Sequence, residues 1–522
     1  MAQSYWIGEK WQIKGREHSS PQDLYAFLQN LSETASAQPA LAFHLPADAP
    51  APKVAWDFAE LWRQVVQTAN FLRSLQADEN TVVAILLPQI PEAPVAMLAA
   101  ALSSQAFIMN PYLSDGVLLE QCQQLKPSIL ISLAASPGVD FADRVEEWRP
   151  EMSYLRYYLQ VDLADYVGKR KGFMMRMTQF NRGRTARVSG QELGDFNRNR
   201  QKHAQDALSF DATAREPRPQ FWLSTDGSTE SPSLLAFTGR DLLEKCQSLA
   251  QGLPAQPMVA AHASGGWQSL VMEQLLPWFQ GKALYQAGIQ AEALTTLPRP
   301  LSEARLNQSP GRLSYQASGY YHASAGGWVG IFTPDQAFHL LPKHHLAIGA
   351  LDAQDKIQRE QAPGLAGEIL LQSPTLAHHL PAEDFVSLPG QAGRWYRTGD
   401  IGSLSDSGYL RFLGKKAEGW WVEDQWISPP EIEEFLEGQA GISEAAVVRK
   451  MEAEAPYPTP VAYLSLEPQG QPDLAAIYQA AQAHFAHPAQ VPPLFRLLEE
   501  LPRTSQGHKR RKWLEVQEAS QR

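Results

Sequence analysis

The sequence is poor in cysteine. Cys122 and Cys246 are the only two among 522 residues, and they lie far apart along the chain. Two isolated cysteines exclude a disulfide framework and a cysteine-rich metal site. The sequence also lacks an excess of positive charge, because 56 Asp and Glu outnumber 45 Lys and Arg and give a formal net charge of −11. This balance argues against a role in binding nucleic acid.

Long hydrophobic runs are missing as well. The longest apolar stretch extends from Pro94 to Met109 and is interrupted by Ser103, Ser104 and Gln105. It therefore falls short of the about 20 apolar residues that cross a membrane as a helix. Residues 1–20 contain charged side chains and no apolar core run, so a signal peptide is not expected. We expect a cytoplasmic protein without a membrane span.

Strand-like and helix-like segments alternate along the first part of the chain. The pattern predicts a helix over 58–75, a strand over 81–87 and a second helix over 91–102. This alternation predicts an α/β architecture with largely parallel sheets flanked by helices. A chain of 522 residues with 44% hydrophobic residues should form several domains or subdomains, each with its own core.

The second half of the sequence predicts smaller units. Strand-like runs at 368–372 and 395–397 indicate a small β subdomain over about 330–414, which completes a large N-terminal region over 1–414. Two αβ units follow and predict a smaller C-terminal α+β domain over 415–522. Residues 168–216 are rich in Arg, Asn and Gln, and we interpret them as a solvated connector.

Residues 221–233 read Phe-Trp-Leu-Ser-Thr-Asp-Gly-Ser-Thr-Glu-Ser-Pro-Ser. An apolar strand-like run leads into a turn of Thr, Gly and Ser, and a helix-like run follows from Thr238. Such a turn directs backbone N–H groups and hydroxyls at an anion. This makes Thr225, Gly227, Ser228 and Thr229 candidate phosphate-binding residues. The alternative is an ordinary turn between a strand and a helix.

This loop resembles the Thr-Ser-Gly-Ser-Thr-Gly-x-Pro-Lys-Gly loop of the adenylate-forming superfamily, the AMP-dependent acyl-CoA synthetases. Three further segments resemble motifs of that family and occur in its order. Residues 396–416 contain Tyr-Arg-Thr-Gly-Asp followed by Gly-Tyr-x-x-x-x-Gly-Lys, residues 427–434 begin Ile-Ser-Pro-Pro-Glu, and residues 501–509 begin Leu-Pro-Arg-Thr. The resemblance spans essentially the whole chain and is greatest to bacterial fatty-acyl-CoA synthetases.

The resemblance implies a site for ATP. The family's aspartate accepts hydrogen bonds from the ribose hydroxyls, a role that would belong to Asp400. Lys415 occupies the position of an arginine in the family's hinge motif, and Tyr320 lies in segment 319–324, which best matches Gly-Tyr-Gly-x-Thr-Glu. The substrate would be a carboxylic or fatty acid, passed to CoA or an acyl carrier protein. The C-terminal domain would be mobile about a hinge at Lys415–Glu418.

Several charged positions of the family pattern have changed. Glu230 replaces a glycine and Ser233 replaces the lysine of the phosphate loop, while Ser324 stands where the family has its metal-binding glutamate. Two like charges about 4 Å apart repel by about 4 kcal/mol at an effective dielectric of 20, so Glu230 would oppose a triphosphate. Serine is a poor ligand for a hard cation. We therefore predict no metal-binding residue and weak binding of ATP and Mg²⁺.

The C-terminal motifs have changed too. His508 stands at the family's catalytic lysine and Lys509 follows it, which makes these two the candidate catalytic residues. A neutral histidine supplies no positive charge, and an adjacent residue points in a different direction. A surface histidine is the alternative interpretation of His508. The family's Gly-Gly at the thiol site is Glu423-Asp424 here, which would oppose an anionic cofactor and leaves CoA binding open.

Two hypotheses follow. The favoured one is a catalytically impaired or inactive relative, a pseudoenzyme, that keeps a role in binding an acyl group, a carrier protein or a partner enzyme. The alternative is an active ligase that forms an acyl-adenylate and transfers the acyl group to CoA or to a carrier-protein thiol. A third possibility is an adenylate binder whose altered chemistry needs no lysine. Fold alone does not decide among them.

Overall fold

The computed structural model of the chain describes most of the sequence, with gaps. The described residues are 4–7, 10–13, 16–19, 23–44, 52–111, 113–134, 141–167, 170, 172–173, 176–177, 188–212, 218–224, 234–252, 258–260, 275–287, 319–323, 327–332, 338–340, 344–352, 354–373, 376–377, 380–405, 410–451, 457–468, 470–503 and 509–520.

The strands of the described residues are numbered in chain order. They are β1 (Ser4–Ile7), β2 (Lys10–Ile13), β3 (Arg16–Ser19), β4 (Pro39–His44), β5 (Val54–Asp57), β6 (Val82–Leu86), β7 (Gln105–Ile108), β8 (Ile129–Leu133), β9 (Tyr157–Val161), β10 (Glu192–Asp195), β11 (Phe221–Ser224), β12 (Leu234–Phe237), β13 (Met258–Ala260), β14 (Leu284–Ala287), β15 (Gly319–Ala323), β16 (Gly327–Phe332), β17 (Phe338–Leu340), β18 (His345–Leu351), β19 (Ile357–Glu360), β20 (Gly367–Gln372), β21 (Phe385–Val386), β22 (Trp395–Leu404), β23 (Leu410–Lys415), β24 (Trp420–Val422), β25 (Gln425–Ile427), β26 (Ile442–Lys450), β27 (Thr459–Leu466) and β28 (Leu494–Leu498).

The helices are numbered in the same way. The α-helices of the described residues are α1 (Leu24–Thr34), α2 (Phe58–Ser74), α3 (Glu92–Ser103), α4 (Asp115–Leu125), α5 (Phe141–Trp148), α6 (Phe196–Arg200), α7 (Gly239–Gly252), α8 (Leu276–Phe279), α9 (Pro429–Glu437), α10 (Leu474–His484) and α11 (Arg511–Ser520). Short 3₁₀ helices cover Arg149–Glu151, Leu163–Tyr166, Ala382–Asp384 and Pro488–Gln490.

The largest sheet has seven strands in the order β10-β9-β8-β6-β7-β11-β12. Its first six strands are parallel, and only β12 pairs antiparallel, with β11. Strand β6 reads Val-Val-Ala-Ile-Leu and is buried throughout, as expected of a parallel strand covered on both faces. The α/β class is therefore confirmed, and the segments predicted around residues 58–102 correspond to α2, β6 and α3.

Helix α2 shows how the sequence fixes these elements. Asp57 precedes the helix, and its side chain accepts a hydrogen bond of 2.7 Å from the backbone N–H of Glu60. This is the N-cap arrangement that satisfies an otherwise unpaired donor. Leu61, Val65 and Leu72 recur at helical spacing and are buried against the core around the sheet.

The connector before the phosphate loop is more ordered than its composition indicated. Strand β10 pairs in parallel with β9, and Phe196 of α6 is fully buried. Asn70 of α2 donates to the carbonyls of Ala204 and Ala207, both at 2.9 Å, and accepts from the N–H of Ser209 at 2.7 Å. The backbone at Ala204, Ala207 and Ser209 is therefore tied to α2, while most side chains of 201–212 are exposed, as expected of a solvated connector.

The second half of the chain forms smaller sheets. Strands β18 to β23 make a six-stranded antiparallel sheet in the order β19-β18-β20-β22-β21, with β23 on β22. Strands β26, β27 and β28 make a three-stranded sheet with an apolar cluster on each face. Both clusters contain only residues from Trp420 onward. These separate cores favour a distinct C-terminal unit, and its predicted boundary at residue 415 stays a prediction.

No helix among the described residues combines the length and the apolar character needed to cross a membrane.

Candidate functional site

Asp400 and Lys415 meet across two neighbouring strands. Strand β22 pairs antiparallel with β23, and the register places the two residues directly opposite each other. Lys415 Nζ lies 2.9 Å from Asp400 Oδ1. The Asp400 side chain is 2% exposed and that of Lys415 is 32% exposed. The structure thus brings two predicted site residues into a charge-assisted hydrogen bond, with the lysine still facing solvent.

The turn before Asp400 is held by hydrogen bonds to the neighbouring strand β20. Gly399 has a φ of +71°, a conformation that L side chains rarely adopt. Thr398 Oγ1 donates to the carbonyl of Ile369 at 2.7 Å and accepts from the N–H of Asp400 at 3.1 Å. The Thr-Gly-Asp sequence therefore specifies this turn through one hydroxyl and one glycine.

Glu368 supports the same turn and was missed by the sequence reasoning. Its Oε1 accepts from the N–H of Gly399 at 3.1 Å, and its Oε2 accepts from Arg397 Nη2 at 2.6 Å. The side chain is 1% exposed. Burial alone would lower the pKa of Arg397, but the hydrogen bond and charge of Glu368 raise it above the ordinary value. The available signal was a single carboxylate inside the apolar run of β20.

A cleft of about 330 Å³ opens beside this turn. It is lined by Glu368, Glu383, Asp384, Tyr396, Arg397, Thr398, Gly399, Lys415, Lys416 and Ala417. Lys416 Nζ lies 2.7 Å from Asp355 Oδ2, and its side chain is 29% exposed. Because Lys415 and Lys416 are partly exposed, their ammonium groups can donate to hydroxyl or anionic groups of a ligand in the cleft.

The predicted phosphate loop lies outside the described residues. This applies to Thr225, Gly227, Ser228 and Thr229, and also to Glu230 and Ser233. The strands on either side are described: β11 ends at Ser224, which pairs with Leu234 of β12. The sequence predicted a helix-like run from Thr238, and α7 begins at Gly239, but strand β12 before it was not predicted. The short run Leu234–Phe237 was overlooked because periodicity does not distinguish it from the start of the helix.

Lys509 is buried in the C-terminal unit. Its Nζ lies 2.9 Å from Glu433 Oε2 and 3.0 Å from Glu437 Oε1, and the side chain is 6% exposed. Arg511 also pairs with Glu433 at 2.7 Å and with Glu418 at 2.8 Å. Burial alone would lower the pKa of Lys509, but the charges of Glu433 and Glu437 raise it. His508 lies outside the described residues.

Comparisons with known proteins found similarity to AMP-binding enzymes and to ligases. The family model for AMP-binding enzymes matches residues 31–172. A fatty acid–[acyl-carrier-protein] ligase, ScoC of Streptomyces coeruleorubidus, is 27% identical over 189 residues, which cover 32% of this chain and 34% of that protein. A 2-succinylbenzoate–CoA ligase of Geobacillus kaustophilus is 28% identical over 144 residues, covering 28% and 29% of the two chains.

Over these segments the chain resembles enzymes of the adenylate-forming superfamily. The aligned segments span about a third of the length of these curated relatives. Solved structures extend the likeness in fold to nearly the whole chain. The anthranilate CoA ligase AuaEII, solved with anthranoyl-AMP, has a TM-score of 0.69 at 16% identity and covers 96% of this chain and 98% of its own. ATP-bound MatB from Rhodopseudomonas palustris has a TM-score of 0.70 at 14% identity, covering 95% and 98%.

The pair formed by Asp400 and Lys415 offers a ligand both an acceptor and a donor. A buried carboxylate at Asp400 can accept from ribose hydroxyls, and Lys415 can donate to ribose or phosphate oxygens. Tyr320 lies on β15, opposite Ile331 of β16, and its side chain is outside the described ones. Among the described residues no group of three or more His, Cys, Asp or Glu is arranged to hold a metal ion.

The two residues that replace the family's Gly-Gly at the thiol site lie at the tip of a hairpin. Glu423 and Asp424 form the two-residue turn between β24 and β25, and both are exposed. Glu423 has a φ of +54°, in the left-handed region that glycine occupies without strain. The turn thus keeps a backbone conformation suited to glycine, although the sequence has placed two carboxylates there.

Proposed function

We propose that this chain is a catalytically impaired member of the adenylate-forming superfamily that keeps an adenosine-binding half-site and holds an acyl group or a partner protein. The observation that carries the proposal is the burial of Lys509 between Glu433 and Glu437. In the family the catalytic lysine stands at the position of His508, and Lys509 is the next residue. Reaching a ligand would require it to break two buried ion pairs, which costs about 3–5 kcal/mol.

The changes at Glu230, Ser233 and Ser324 also support catalytic impairment. Together they add a negative charge and remove a cation and a carboxylate from the places where the family binds the triphosphate and its metal. Losing contacts to charged groups of about 1.5–3 kcal/mol each should weaken Mg-ATP binding by orders of magnitude. Asp400 and Lys415, in contrast, remain paired, and Lys415 lines the neighbouring cleft.

The second candidate is an active ligase that adenylates a carboxylic or fatty acid and transfers it to CoA or a carrier-protein thiol. The intact turn around Asp400 favours it. A protein that had lost the reaction would not need Glu368, Thr398 and Gly399 in this arrangement. The ligase names of the curated relatives favour it as well.

ATP–pyrophosphate exchange across a panel of fatty and aromatic acids separates the two. The same preparation is tested by calorimetry with Mg-ATP and with a non-hydrolysable acyl-adenylate analogue. The test variant is Asp400→Asn, and the matched control is Glu79→Gln, which neutralises a carboxylate that is 52% exposed.

Impairment predicts no exchange above background, weak Mg-ATP binding, and binding of the analogue that Asp400→Asn reduces and Glu79→Gln does not. Exchange with one or more acids, abolished by Asp400→Asn, would overturn impairment and establish the ligase. Absence of both exchange and analogue binding would overturn the adenosine half-site itself.

A further inference from the structure

Residues 166–191 contain seven Lys and Arg and no Asp or Glu, in a chain whose net charge is −11. The basic residues are Lys169, Arg170, Lys171, Arg176, Arg182, Arg184 and Arg187. Large apolar side chains are interleaved with them, namely Phe173, Met174, Met175, Met177 and Phe180. Basic residues alternating with exposed apolar ones are typical of segments that lie on a membrane surface.

The described residues of this segment present both kinds of side chain to solvent. Arg170, Phe173 and Met177, which we name the basic–apolar surface, all have helical backbone and are exposed. Phe173 is 65% exposed and Met177 is 44% exposed, and both belong to the small group of exposed large hydrophobic side chains.

Two contacts hold this surface against the body of the protein. Gly172 packs so closely on the turn Leu163–Tyr166 that a Cβ would lie 2.9 Å from the carbonyl oxygen of Ala164. Arg176 lies 2.9 Å from Asp162 Oδ2 and 2.6 Å from Asp165 Oδ1. Since Arg176 is engaged with these carboxylates, it anchors the segment, while Phe173 and Met177 remain outward.

We propose that the basic–apolar surface is a docking site for a membrane containing anionic lipids. Arg170 would meet lipid phosphates, and Phe173 and Met177 would insert at the level of the head groups. Charge alone would suit a nucleic acid equally well. The exposed Phe and Met favour lipid, because burying them yields free energy only where an apolar phase is available. The proposal does not depend on catalysis.

Co-sedimentation of the full chain with vesicles tests this, without ATP present. The vesicles are either pure phosphatidylcholine or equimolar phosphatidylcholine and phosphatidylglycerol. Binding is expected to the anionic vesicles only and to weaken at high salt. Arg170→Gln should weaken it about fivefold, the effect of one cation near the surface. The double variant Phe173→Ser, Met177→Ser should weaken it by about tenfold or more.

The matched control is Leu365→Ser, since Leu365 is 56% exposed and belongs to another part of the chain. Circular dichroism confirms that each variant is folded. Equal sedimentation with both vesicle types, or an equal loss in the Leu365→Ser control, would overturn the proposal. Binding to single-stranded RNA that needs Arg170 but not Phe173 or Met177, with no vesicle binding, would also overturn it and assign the surface to a polyanion.

Discussion

The ammonium group of Lys509 lies 2.9 Å from Glu433 Oε2, with both side chains almost completely buried. Arg511 pairs with the same carboxylate and with Glu418, the last of the predicted hinge residues. A buried carboxylate with two cationic partners is satisfied only while both remain in place. This cluster therefore joins the last described segment, 509–520, to helix α9 and to Glu418.

Lys509→Met should destabilise the protein. The substitution leaves Glu437 without its buried partner and weakens the pairing of Glu433, so we expect the free energy of unfolding to fall by about 3–5 kcal/mol. Urea unfolding followed by circular dichroism measures the change. Lys512→Met is the control, because Lys512 is 63% exposed and its pair with Glu515 should contribute about 0–1 kcal/mol. Equal effects of the two substitutions would contradict the structural role of Lys509.

Glu368→Gln should loosen the turn that presents Asp400. The amide keeps the shape of the side chain but removes the charge that Arg397 and Lys416 meet. We expect the affinity for an acyl-adenylate analogue to fall about tenfold, from loss of a charge-assisted bond worth about 1.5–3 kcal/mol. Glu360→Gln, on the exposed strand β19, is the control. Unchanged affinity in Glu368→Gln, measured by calorimetry, would show that the turn needs no support from this carboxylate.

Lys245 should make stability depend on pH in the alkaline range. Complete burial in α7 lowers the pKa of Lys245 to about 7 from 10.5, although the charge of Asp241 opposes the shift. Between these values the unfolded chain binds more protons than the folded one, so stability rises with pH from about 7 to about 10.5. Lys245→Met removes this titration. We expect Lys245→Met to be more stable than the parent by a few kcal/mol near pH 7. This is roughly the free-energy cost that the lowered pKa of Lys245 represents.

The comparison is made by urea unfolding of parent and Lys245→Met across that pH range. Their difference in free energy of unfolding should shrink as the pH rises. Lys202→Met, at an exposed lysine, provides the control and should show a constant difference. A constant difference in Lys245→Met would mean that the ammonium group stays charged in the folded protein.

Glu423→Asn should stabilise the hairpin between β24 and β25. Glu423 has a φ of +54°, and Asn tolerates this conformation better than Glu does. Removing the left-handed strain should contribute about 0.5–1 kcal/mol, while Glu423→Val should cost about 1 kcal/mol or more. Asp424→Asn changes the charge of the same turn equally and serves as the control. Thermal unfolding measures all three, and an equal effect of the two Asn substitutions would assign the gain to charge instead of backbone conformation.

Any residual adenylation should depend on Asp400 more than on His508. Asp400→Ala is expected to abolish pyrophosphate exchange, because it removes the carboxylate that would hold the ribose. His508→Lys alone should restore little, since residues of one site act as a unit and Glu230, Ser233 and Ser324 remain. A large gain in exchange from His508→Lys would show that the rest of the site is intact.

The sequence by itself indicated the fold class, the order of the motifs and the positions of α2, β6 and α3. Helix α2 and strand β6 follow from local signals, since an N-cap aspartate and a given hydrophobic period act within a few residues of the chain. The resemblance to the adenylate-forming superfamily was also readable, because the family's motifs are short and occur in order. The strand Leu234–Phe237 was missed because four apolar residues carry too little periodicity to be recognised.

Only the tertiary structure decided which charged groups are partners. Asp400 meets Lys415 because of the register of β22 and β23, and Glu368 reaches Gly399 because β20 lies beside β22. Lys509 is buried because α9 presents Glu433 and Glu437 to it across 76 and 72 residues of sequence. Hydrophobic period and turn chemistry are local properties of a chain, whereas an ion pair depends on the distance between groups that only the packing of separate elements brings together.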